Sequence, residues 1–116
     1  MIMEKTLTML TENFESSSVL TPQFQAFSRL FKREFTKLLA SLGAIGVKMS
    51  RGHFGLSGFF QIEKQIWYFS IGDVRWNKNN MLIRTATSFE DYTGGRNQFI
   101  ETDDRFIENL KGVIEQ

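Results

Sequence analysis

The segment GHFGLSGFFQIEKQIWYFSIGDVRW (52–76), followed at once by MLIRTAT (81–87), decides how this chain folds. Its apolar residues recur every second position, the period of a strand with one buried face. Phe54, Leu56, Phe60 and Ile62 share one parity, and Gly58 stands among them. Glu63-Lys64 reads as a hairpin turn into Gln65–Ile71. Asn77–Asn80 reads as another turn into Met81–Thr87, and such short connections imply antiparallel neighbours. Upstream, Ile45, Val47 and Met49 alternate with small or polar residues, which adds a strand before a turn at Arg51-Gly52. Gly55, Gly58 and Gly72 interrupt the set and suit a bulge or a close backbone approach.

Helices flank this block. Thr21-Pro22 suits a helix start, with Thr as cap and Pro in the first turn. Phe24, Phe27, Leu30, Phe31, Phe35, Leu38, Leu39 and Leu42 then follow at steps of three and four. Gly43 suits the helix exit. After Asn97, Phe106, Ile107, Leu110, Val113 and Ile114 form a second apolar face, with Thr102 as its expected cap and Asp103 and Asp104 in its first turn. At the other end, Met3, Leu7, Leu10 and Phe14 leave residues 1–20 as a short amphipathic helix or a loose terminus. The expected architecture is a single α+β domain over 1–116. Four antiparallel strands form its sheet, and an N-terminal amphipathic helix and a C-terminal helix pack on one face.

Composition narrows the function classes. At 116 residues and 41% hydrophobic content, the chain can bury a core without staples. It has no cysteine and a single histidine, which argues against a transition-metal site and implies no cofactor. No apolar run approaches the roughly 20 residues of a membrane span. The start lacks a secretory pattern, so a cytoplasmic location is expected and no membrane partner. Net charge is +1 but unevenly spread. Residues 29–51 carry six basic residues against Glu34, and residues 90–116 carry seven acids against three basic residues. Arg29, Lys32, Arg33 and Lys37 form a basic helix face, open to a nucleic acid in an alternative reading. Basic nucleic-acid binders, however, usually have a pI above roughly 9.

Candidate chemistry is sparse. His53, with Asp73 or Asp91, is the one combination that could serve a small hydrolase or transferase, and no triad spacing accompanies it. Asp73 or Asp91 paired with Arg75 or Arg84 is more simply an ion-pair network. The loop SFEDYTGGRN (88–97) sets two glycines beside Arg96, a combination that can hold an anion or simply form a tight turn. If Phe60 and Ile62 face the helices, then Phe59 and one of Trp67 or Tyr68 face away. Exposed aromatics on a sheet serve a protein interface, a homodimer contact or base stacking.

The segments SGFF (57–60), YFSIGDVR (68–75), LIRTA (82–86) and DYTGG (91–95), followed by Asn97, resemble a pattern in small uncharacterised proteins of bacterial mobile elements. The resemblance implies an accessory protein of a phage, plasmid or conjugative element, a setting in which inhibitors of host defence such as anti-CRISPR proteins occur. It brings no catalytic residue with it. The expectation is therefore a non-enzymatic binding protein with a protein partner. Its partner-binding residues would be Phe59, Trp67, Arg75, Arg84, Tyr92, Arg96 and Asn97.

Overall fold

A computed structural model describes residues 22–51, 55–73, 77–91 and 94–116. The 1–20 segment, the cap at Thr21 and the site candidates His53, Arg75 and Tyr92 lie outside the described residues. The elements are α1 (Pro22–Ser41), β1 (Ala44–Arg51), β2 (Leu56–Ile62), β3 (Gln65–Asp73), β4 (Asn77–Ala86), β5 (Gln98–Glu101) and α2 (Phe106–Ile114). The strands form one antiparallel sheet in the order β1-β2-β3-β4-β5. The sheet thus has five strands, not four.

The fifth strand is QFIE, four residues of which Ile100 alone is buried. So short a segment with one inward residue has no readable alternation, and pairing with β4 is what makes it a strand. Pairing also overrides the turn expected at Asn77–Asn80. β4 begins at Asn77, which pairs with Asp73 beyond an irregularity in β3. The hydrogen-bonded ladder is a property of the backbone, so it runs on past the apolar side chains.

Alternation places Leu56, Phe60, Trp67, Phe69, Ile71, Met81, Ile83 and Ile100 on the inner face, where both helices cover them. α1 contributes Phe24, Phe27, Phe31, Phe35 and Leu39, and α2 contributes Phe106 and Leu110, all fully buried. Phe35 is the hub. Its ring lies 4.8 Å from Phe31, 5.1 Å from Phe69, 6.2 Å from Phe60 and 6.3 Å from Phe106. Burying one such side chain contributes about 1.5–3 kcal/mol, and a well-oriented ring pair adds about 0.5–1.5 kcal/mol. The heavy use of Phe follows, since a phenyl ring fills this space with no polar atom to satisfy.

Two glycines set the close approaches. Gly43 has φ 95° and its N–H donates to the Ala40 carbonyl at 3.1 Å, ending α1. Gly58 pairs with Met49 so closely that a Cβ there would run into the Lys48 carbonyl. The α2 start differs from expectation. Thr102 is buried, and its hydroxyl has no hydrogen-bond partner among the described residues. The turn is made by Asp103 instead: its Oδ1 accepts the Arg105 N–H at 2.9 Å and its carbonyl accepts the Phe106 N–H at 3.1 Å. Thr102 follows β5 too directly to cap a helix that begins at Phe106.

Candidate binding face

The strand register builds the outer face row by row. Lys48 pairs with Phe59, Phe59 with Tyr68 and Tyr68 with Arg84. Ile83 pairs with Gln98, which brings Asn97 level with Arg84. One row therefore crosses the whole sheet: Lys48, Phe59, Tyr68, Arg84, Asn97. Its members touch. The Phe59 and Tyr68 rings are 5.2 Å apart, and the Arg84 guanidinium lies 4.8 Å over the Tyr68 ring. Arg84 Nη1 donates to Asn97 Oδ1 at 2.9 Å. Phe89, from the turn after β4, lies 6.0 Å from Phe59 and closes over Gly46, where a Cβ would stand 3.2 Å from its ring.

The next row differs in kind. Ser50 pairs with Ser57, Ser57 with Ser70, Ser70 with Leu82 and Leu82 with Phe99. Three hydroxyls make a low, polar lane that ends in an apolar pair, and Phe99 is 54% exposed. Both helices join the inner-face cluster, so neither packs on this side. An aromatic and cationic ridge thus borders a flat lane with a projecting phenyl ring at its end. Such a surface can exclude water around an apolar anchor and offer hydrogen bonds beside it.

Phe59, Arg84 and Asn97 lie in the first row, and Arg96 stands exposed beside Asn97. Trp67 does not belong there. It is 6% exposed, lies on the inner face and stacks on Phe60 at 6.5 Å. The residue that faces out beside Phe59 is Tyr68. The reason is register. Ile62 and Gln65 pair across the Glu63-Lys64 turn, which sets Phe60 against Trp67 and Phe59 against Tyr68. Cross-strand partners share a face. That signal was present in the sequence once the turn was placed. Phe99 carried no such signal, because β5 itself was not readable.

The 88–97 loop is shaped by packing. Gly95 has φ 78°, and a Cβ there would strike the Thr85 carbonyl and stand 2.8 Å from Thr85 Oγ1. Only glycine fits both the angle and the approach. The Gly-Gly pair thus sets the loop against β4 and delivers Asn97 to Arg84. Asp91 Oδ2 accepts a hydrogen bond from Thr87 Oγ1 at 3.2 Å. Of the basic helix set, Arg29, Arg33 and Lys37 are exposed and Lys32 is half-buried. They belong to α1, across the sheet from the aromatic row, so the two features do not form one surface. Among the described residues, no three His, Cys, Asp or Glu side chains gather as a metal site, and no helix is long and apolar enough to cross a membrane. No protein family, curated protein or solved structure matches the chain.

Proposed function

We propose that this chain is a non-enzymatic binding protein that docks a protein partner on the outer face of its sheet. The observation that carries this reading is the row Lys48–Phe59–Tyr68–Arg84–Asn97, continuous across five strands on a face that neither helix covers, beside the exposed Phe99. Aromatic and arginine side chains dominate the energetics of protein interfaces when they are held rigidly and then desolvated. Here the ring contacts and the Arg84–Asn97 bond hold them before any partner arrives.

A protein suits this face better than a single-stranded nucleic acid. Base stacking needs open ring faces. Phe59 is flanked by Phe89 and Tyr68, and Tyr68 lies under Arg84. The open apolar group is Phe99, at the end of the serine lane. The resemblance to mobile-element proteins extends the proposal to an inhibitor of a protein–nucleic acid machine, and the identity of the partner decides that part. A photo-reactive phenylalanine analogue at Phe99 tests the surface in native host cells. A defined protein adduct from that position, and none from the same analogue at Arg33 on α1, is the expected result. Adducts from Arg33 alone, or a nuclease-sensitive adduct at Phe99, would overturn it.

A further inference from the structure

Trp67 leads to a second site, on the opposite side of the sheet from the aromatic row. A cleft of about 690 Å³ opens between the end of α1, the β2–β3 turn and the last turn of α2. Leu42, Ile62 and Ile114 give it apolar walls, and Trp67 lines it. Its volume falls within the roughly 300–1,000 Å³ of small-molecule pockets, which are mostly apolar with a few placed polar groups.

The polar groups are informative. Gln116 Nε2 donates to Gln98 Oε1 at 3.2 Å, tying the end of α2 to β5 beside the cleft. At the rim, Lys64 and Lys111 stand with Glu63 and Glu115, so the rim charges cancel and select no charged ligand. Trp67 is 94% buried by the measure that leaves it 6% exposed, and its indole N–H has no hydrogen-bond acceptor among the described residues. An indole N–H is a donor with no acceptor capacity, and a buried one normally finds a partner. Apolar walls, a donor awaiting an acceptor and a neutral rim together define a ligand. We propose that the cleft is a small-molecule site for a flat, uncharged, mostly apolar ligand with a carbonyl oxygen or ring nitrogen that accepts the Trp67 indole N–H.

The test uses the indole signal itself. The chain has two tryptophans, so the Trp76→Phe variant leaves Trp67 as the single indole N–H in a ¹⁵N-labelled spectrum. Coumarin supplies a flat apolar body with a carbonyl, and indane supplies a similar body without an acceptor. Coumarin is expected to move the Trp67 indole signal downfield, saturably and at one-to-one stoichiometry. Indane is expected to bind about tenfold more weakly, the loss of one net hydrogen bond, and to leave the proton unshifted. Ile114→Phe, which adds a ring to the wall, should abolish the shift. Intermolecular cross-peaks from coumarin to the Leu42 and Ile62 methyls locate the ligand should that variant fold poorly. No saturable shift up to the solubility of coumarin, an equal response to indane, or cross-peaks elsewhere would overturn the proposal.

Discussion

Replacing Gly58 with alanine tests how β1 is seated on the sheet. In an ordinary strand the change is favourable by about 0.5–1 kcal/mol, because glycine loses more backbone freedom on folding. Here the new Cβ would collide with the Lys48 carbonyl oxygen and stand 3.0 Å from Met49 Cα and 3.1 Å from the Lys48 carbonyl carbon. All three atoms are backbone of the neighbouring strand, so no side chain can swing aside. β1 must retreat, which strains its ladder to β2 between Ala44 and Arg51. It also loosens Val47 and Met49 against the core. Overpacking of this kind costs about 1–3 kcal/mol, and each weakened ladder bond adds up to about 1 kcal/mol. Set against the entropic gain, the net destabilisation should be about 2 kcal/mol, or about 6–12 °C in Tm for a domain of this size. Urea and thermal unfolding followed by far-UV circular dichroism read it directly. Gly112→Ala is the control: a Cβ there meets nothing within 4 Å, and the residue is inside α2. That variant should gain about 0.5–1 kcal/mol. A Gly58→Ala protein as stable as the parent would refute the close seating of β1.

Phe35→Ala removes the hub of the aromatic core and should cost about 3–5 kcal/mol in chemical unfolding; a loss below 1 kcal/mol would contradict the packing. Glu63 holds φ 55° at the first of two turn residues, a position that favours glycine in such hairpins. Glu63→Gly should therefore raise stability by up to about 1 kcal/mol, and a lower unfolding midpoint would count against the turn geometry. Gly95→Ala combines a strained angle with the approach to Thr85, so about 1–3 kcal/mol should be lost. The Arg84 side-chain NMR signals should move in the same variant as Asn97 is drawn away, and unchanged signals would show that the loop is not held through Gly95.

Much of this architecture was written in periodicity. The three- and four-residue spacing of Phe24 to Leu39 fixed α1 and its buried side, and the Glu63-Lys64 turn fixed the central hairpin. What periodicity could not carry was structure made by pairing. β5 has one buried residue, and the Asn-rich start of β4 has no strand-like composition, yet both are strands because a neighbour offers its backbone. The start of α2 was misplaced for a related reason: Thr102 is a good cap by chemistry, but it continues from β5 and is buried. The binding face was legible in part. Phe59 and Arg84 stood out by parity and charge, and Trp67 was drawn in by its size although register sends Tyr68 outward instead. Phe99 and the serine lane came from the register of strands far apart in sequence.

The most direct measurement is the affinity of the purified partner, captured through position 99, for two folded variants. Phe99→Glu places a charge at the apolar end of the serine lane, and Arg33→Glu alters the exposed helix face across the sheet. Burying that ring against a partner is worth about 1.5–3 kcal/mol, so Phe99→Glu should weaken binding by at least about tenfold while Arg33→Glu stays within about twofold of the parent. Full affinity in Phe99→Glu, or a large loss in Arg33→Glu, would contradict the outer face as the binding surface.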